Sequence, residues 1–231
     1  MRDTPDWPKA TFLHELPDEA RADLLRRGTL RAYGPGEVLT REGGPERVVY
    51  ILLGGYVKVL GNTREGRVNL LAIRGAGDPI GEIAAMDDGP RTATVAVVTE
   101  ARARVLDQAT FRAFLAEHPG AETVLQQCVL TKLRQATALR ITLGGASVDL
   151  RVIRILSYFA VTYGRPSPAG TAIDVPLTQL DIADFIGAGE PSVHRALVRL
   201  RQLKLVGTSY RRIDVLDLDG LVRLAEDLDA A

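Results

Sequence analysis

The chain has 231 residues, 46% of them hydrophobic and 25% charged, with 29 basic side chains matched by 29 acidic ones. That is room for one large domain or two modest ones around an ordinary buried core. The single cysteine, Cys128, excludes an internal disulfide framework or a cysteine-held cluster within one chain.

No run is apolar for the ~18 residues that a membrane span needs, and no apolar core follows Arg2 and Lys9 as in a signal peptide. A cytoplasmic protein with no membrane partner is expected. Up to about Arg27, Leu13, Leu16, Ala20, Leu24 and Leu25 recur at helical spacing, with Pro17 near a helix start. From Gly28 to about Leu106 the texture changes to short β-rich runs, 38–40, 48–53, 56–60, 68–73, 93–98 and 103–106. Turn signals such as Gly34-Pro35-Gly36, Gly43-Gly44-Pro45, Gly54-Gly55 and Gly89-Pro90 divide them. Many short strands at this spacing predict an antiparallel barrel or sandwich.

From Thr110 to about Leu143 a long helix is predicted. Leu125, Val129, Ala136, Leu139 and Leu143 follow a three–four spacing that Lys132 interrupts. Such a partial seam predicts pairing with a second copy of the chain through Leu125, Val129, Ala136 and Leu139; the alternative is packing on the barrel. Gly144-Gly145 reads as a hinge. Beyond it Val152, Ile155, Leu156 and Phe159 form one apolar helical face, and 165–170 reads as a loop. His14, His118 and His194 show no ligand spacing, so no metal site is expected.

The stretch from Leu177 to Val206 has a helix-turn-helix pattern. Thr178 suits an N-cap. Leu180, Ala183, Phe185 and Ile186 are read as the buried side, and Gly187 falls where the chain turns sharply. Pro191 suits the first turn of a second helix, with Val193, Ala196, Leu197 and Leu200 facing inward. Glu190, Ser192, His194, Arg195 and Arg199 lie off that stripe. From Val193 to Arg212 no carboxylate occurs, whereas the tail from Ile213 is acidic, so a basic stripe hides inside a zero net charge. Short strands around Ser209-Tyr210 and 213–216 read as a wing. The prediction is double-stranded DNA as partner, with Arg195 on a base edge, preferring guanine, and Arg199, Arg201, Lys204, Arg211 and Arg212 on phosphates.

Between Gly77 and Val95, Glu82 can accept a hydrogen bond from a sugar hydroxyl, Arg91 can clamp a phosphate with two donors, and Thr92 adds a hydroxyl. Backbone N–H groups at a helix start favour an anion. The set fits a small sugar phosphate; the alternative is a structural loop in which Arg91 pairs with Glu82, Asp87 or Asp88. No nucleophile–base pair or Walker-type loop suggests an enzyme.

Barrel, cassette, long helix and winged helix-turn-helix, in that order, resemble the CRP/FNR family of bacterial transcription regulators from about Phe12 to Leu218. The resemblance implies an α+β fold. A sensor domain, 1–109, is an antiparallel β-barrel of the double-stranded β-helix or jelly-roll kind; a dimerisation helix and hinge span 110–145; a winged helix-turn-helix domain spans 146–231. It implies a cyclic nucleotide effector at Gly81, Glu82, Ile83, Arg91, Thr92 and Ala93, with Gly81 and Glu82 at the ribose 2′-hydroxyl and Arg91 and Thr92 at the cyclic phosphate. It further implies a homodimer on palindromic operators and contact with RNA polymerase. Ala136-Thr137 stands where the family's cyclic AMP receptor has a Thr-Ser pair that reads adenine, so Thr137 is expected to keep a hydroxyl contact. Arg91-Thr92-Ala93-Thr94 resembles the cassette of cyclic-GMP-binding kinase domains, yet cyclic AMP is favoured over cyclic GMP. Pro191 and Glu190 stand where that receptor has a DNA-reading glutamate and an arginine, so a different target is expected. The same regulator without a small-molecule switch is the alternative.

Overall fold

The computed structural model describes residues 7–63 and 65–229. The chain falls into two compact units, the first ending at Ala136 and the second beginning at Thr137, with Val68–Leu70 grouped with the second. No helix among the described residues is long and apolar enough to cross a membrane.

The first unit opens with helices α1 (Phe12–Glu15) and α2 (Asp18–Leu24). Strands β1 (Thr29–Tyr33), β2 (Val38–Thr40), β3 (Val48–Gly54), β4 (Val57–Asn62), β5 (Val68–Arg74) and β6 (Pro79–Ile80) follow, then the short helix α3 (Glu82–Asp87). β7 (Thr94–Val97) and β8 (Ala101–Asp107) lead into α4 (Gln108–Glu117) and the long α5 (Pro119–Leu143). The strands form two four-stranded sheets, ordered β1-β8-β3-β6 and β2-β7-β4-β5, with every recorded pairing antiparallel. The strand spacing predicts an antiparallel barrel or sandwich, and the sheets form one of the jelly-roll-like kind that the family resemblance implies.

Strand periodicity places the core. On β3, Leu52 points into the barrel with Val57, Val95, Val97 and Ala103. Its neighbours Val49 and Ile51 point outward, where Phe12, Leu24, Phe111, Phe114 and Leu125 of the helices cover them. Each of these fully buried side chains contributes ~1.5–3 kcal/mol of transfer free energy, so the helices are held by the outer face of one sheet.

The second unit contains α6 (Val148–Tyr163), β9 (Gly164–Ser167), β10 (Gly170–Ile173), α7 (Gln179–Ile186), α8 (Glu190–Gln202), β11 (Val206–Ser209), β12 (Arg212–Val215) and α9 (Leu218–Asp229). Its sheet runs β11-β12-β10-β9. Val152, Ile155, Leu156 and Phe159 of α6 are fully buried, as their shared face predicts.

Several local expectations need correction. The N-terminal helix is two, because Pro17 pushes Leu16 into extended backbone (ψ 138°) before starting α2. The long helix likewise breaks: His118, ahead of Pro119, leaves the helical region (φ −126°, ψ 79°). Residues 165–170 are not a loop but most of the β9–β10 hairpin, in which Pro166 is tolerated because β9 lies at the sheet edge. β1 went unread because its side chains are mostly exposed and show no apolar alternation. Leu180 is half exposed (52%) and Phe185 half-buried, whereas Ala183 and Ile186 are buried as predicted, joined by Ile182.

A candidate ligand pocket and nucleic-acid interface

The first unit encloses a cavity of about 340 Å³, the size of a small-ligand site. β6 delivers the chain to Gly81, whose positive φ (82°) turns it into α3. A Cβ at Gly81 would lie 2.1 Å from Arg91 Nη1 and 2.9 Å from the Val48 carbonyl, so only glycine lets the arginine in. Arg91 is 4% exposed. Its Nη1 donates to the Gly81 carbonyl at 3.0 Å and its Nη2 to the Val48 carbonyl at 2.5 Å. Its Nε–H is buried with no partner. Burial pushes the Arg91 guanidinium below its ordinary pKa.

Among the described residues no ion pair involves Arg91. Asp88 is taken by Arg112 at 3.0 Å and Gln108 at 2.6 Å, and Asp87 accepts from the Gly89 amide at 2.9 Å. The structural-loop alternative, which pairs Arg91 with Glu82, Asp87 or Asp88, is therefore not what the chain does. Glu82 is buried (6% exposed) and its Oε1 accepts from Lys132 Nζ at 3.0 Å; the same ammonium reaches the Pro79 carbonyl at 3.2 Å. Sequence reasoning took Lys132 for a fault in a seam. It is the long helix's contribution to the pocket wall, together with Val129 and Leu133.

Gly81, Glu82, Ile83, Arg91, Thr92 and Ala93 all line this one cavity. Thr92 is exposed and Ala93 is buried. Thr137 is exposed and is not among the residues that line the cavity. The seam on α5 also needs correction. Leu125 is 2% exposed and belongs to the core under α1, α2 and α4, and Val129 faces the cavity. Ala136 is exposed and Leu139 half-buried. The large apolar side chains left bare are Leu130, Leu133 and Ile141, about a third of a turn away. Asp23, Glu117 and His118 also converge, with ligand atoms within 4.8 Å. Arg27 bonds both carboxylates, and the His118 bond holds Asp23 below the usual carboxylate range.

In the second unit Thr178 caps α7 through a full capping box with Asp181, and Gly187 closes it at φ 63°. α8 begins with Pro191 in its first turn and buries Val193, Ala196, Leu197 and Leu200. Its other face is exposed at Glu190, His194, Arg195, Arg199 and Arg201. Arg195 Nη2 donates to Ser192 Oγ at 2.9 Å, His194 Nδ1 meets Gln179 Oε1 at 3.1 Å, and Arg201 Nη1 donates to Thr208 Oγ1 at 2.6 Å. Lys204 is exposed just past the helix. Arg199 forms an ion pair with Asp149 of α6, and Arg212 with Asp214 at 2.9 Å. The basic stripe is thus partly neutralised by carboxylates outside it or at its border. Tyr210 and Arg211 form the turn between β11 and β12. Tyr210 is 92% exposed and Arg211 sits at φ 53°, a strained position of the kind that marks functional loops.

Two family models match the two halves of this geometry: "Cyclic nucleotide-binding domain" over residues 30–118 and "Crp-like helix-turn-helix domain" over 150–224. A Mycobacterium tuberculosis protein named "CRP-like cAMP-activated global transcriptional regulator" is 30% identical over 190 residues, 82% of this chain and 85% of that one. The chain belongs to the CRP/FNR family of transcription regulators.

A CRP-family transcriptional regulator from Thermus thermophilus shares this regulator's fold with a TM-score of 0.72 and 27% identity over 87% of this chain and all of that one. FixK2 from Bradyrhizobium japonicum shares the fold with a TM-score of 0.73 over 89% of this chain and 98% of its own, at 23% identity. The regulator is therefore a DNA-binding protein rather than an enzyme, with a cyclic-nucleotide-binding domain ahead of its helix-turn-helix.

Proposed function

We propose that this CRP/FNR regulator is gated by a cyclic nucleotide and binds palindromic operators as a cytoplasmic homodimer, in contact with RNA polymerase as its family likeness suggests. Its sensor domain is 1–109, its connecting helix 110–145 and its DNA-binding domain 146–231. The observation that carries the effector is Arg91: a buried cation in a cradle that a Cβ at Gly81 would fill, with no ion pair to a carboxylate among the described residues. Its two carbonyl bonds leave the Nε–H and one N–H on each terminal nitrogen for a cyclic phosphate. Glu82, already braced by Lys132, accepts from the ribose, with Gly81, Ile83, Thr92 and Ala93 around it. The relative activated by cAMP, by its name, supports the nucleotide class.

On DNA, Arg195 reads a base edge, Glu190, Ser192 and His194 lie beside it, and Arg201, Lys204 and Arg211 neutralise phosphates. The dimer seam runs along Leu130, Leu133 and Ile141 rather than through Leu125. Calorimetry of the intact protein with cyclic nucleotides tests the effector: binding is expected in wild type and weakened at least about a hundredfold in Arg91→Ala, as for the loss of a buried charge-assisted contact. No heat in wild type, or equal binding by the variant, overturns the reading.

A further inference from the structure

Strand β5 ends in Arg74, which lines the same cavity as Glu82 and Arg91. The lining thus carries three cations, Arg74, Arg91 and Lys132, against the carboxylate of Glu82. Lys132 is committed to Glu82. Arg91 is the phosphate-binding group proposed above. Arg74 remains. Its Nη1 donates to the neighbouring Ile73 carbonyl at 2.9 Å, and among the described residues no carboxylate pairs with it. Its other donors are not buried, so they stay open to the cavity and can exchange water for the acceptors of a ligand that enters it.

A cyclic phosphate carries one negative charge, and Arg91 answers it. What such a ligand has left to offer Arg74 is its base. Guanine presents two adjacent acceptors, N7 and O6, which match the arginine fork. Adenine replaces O6 with an N6 amino donor, which would face the guanidinium donor to donor. Val59, Ile80, Val95 and Leu133 make much of the remaining wall apolar and so indifferent to that difference. We infer that Arg74 reads the base and selects a guanine nucleotide, cyclic GMP over cyclic AMP. The inference rests on the cyclic-nucleotide reading above and reverses the preference for the adenine form drawn from sequence.

Calorimetric titration of the full chain with cyclic GMP, cyclic AMP and cyclic IMP tests it. Cyclic IMP keeps N7 and O6 and lacks the 2-amino group. Cyclic GMP and cyclic IMP are expected to bind at least about tenfold more tightly than cyclic AMP. In Arg74→Leu that preference is expected to vanish, with cyclic AMP binding retained. Three outcomes overturn the assignment of Arg74 while leaving the nucleotide pocket standing: equal or tighter binding of cyclic AMP by wild type, cyclic IMP behaving like cyclic AMP, or an Arg74→Leu protein weakened alike for all three. Failure of all three nucleotides to bind wild type overturns the pocket reading itself and this inference with it. The cyclic IMP comparison uses wild type alone, so it stands even where Arg74→Leu does not fold.

Discussion

Glu82 and Lys132 lie 3.0 Å apart with side chains 8% and 17% exposed. Taking two charges out of water is costly, and the pair persists because each group neutralises the other and the ammonium also finds a carbonyl. Removing one partner strands the other. Lys132→Met is therefore expected to cost about 3 kcal/mol in urea-denaturation stability, and adding Glu82→Gln to recover most of it. Equal stability of wild type and Lys132→Met would show the pair to be a surface contact. Glu82, Arg91 and the glycine before them were legible in sequence, because short spacing and complementary chemistry announce an anion cradle. Lys132 and Arg74 were not. A lysine inside an apolar stripe looks like a break until the carboxylate 50 positions away is known to meet it. An arginine closing a strand looks like any exposed charge until the fold turns it toward a cavity.

The long helix α5 has two apolar faces with different duties. Its first half buries Ala121, Leu125 and Cys128 against the barrel's helices, which pushes the Cys128 thiol up to about 11 and leaves it unreactive. Leu130, Leu133 and Ile141 stand bare on another face. Leu125→Ala is expected to cost about 3 kcal/mol of folding stability through the cavity it leaves. Leu130→Asp combined with Ile141→Asp is expected to change stability little and to halve the mass seen in sedimentation. A Leu125→Ala protein of full stability, or a double variant that stays dimeric, would return the seam to its sequence-based position. Periodicity showed that an apolar stripe existed but could not say whether it met a partner copy or the chain's own barrel, since both reward the same spacing. Strands rich in apolar residues were legible, with burial alternating along β3 and β7. Those with few apolar residues, β1 and the β9–β10 hairpin, carried no such pattern.

At the scale of the whole chain, zero net charge conceals a segregation that ion pairing then trims. Arg199 and Arg212 are tied to Asp149 and Asp214, leaving Arg195, Arg201, Lys204 and Arg211 without a carboxylate partner among the described residues. If Arg201, Lys204 and Arg211 each meet a phosphate in both halves of a dimer, with Arg195 on a base, log K against log salt falls with a slope of about −5. Asp149→Asn releases Arg199 and is expected to steepen the slope by about 2 in operator titrations at graded salt; an unchanged slope would exclude Arg199 from the phosphate path. The helix-turn-helix carried its own signature in Thr178, Gly187 and Pro191, and the wing was legible in its two strands, whereas the strand that roots the wing was not, because it is short and lies between Gly170 and Pro176. That strand, β10, pairs with β12 and so clamps the base of the wing while Tyr210 and Arg211 stay outside every strand. Foundation and fingertip are thus different residues. On the DNA contacts proposed above, substitutions or short insertions at the tip are expected to retune operator preference with little penalty in folding, which leaves this hairpin open to drift, or to deliberate retargeting, between one set of genes and another.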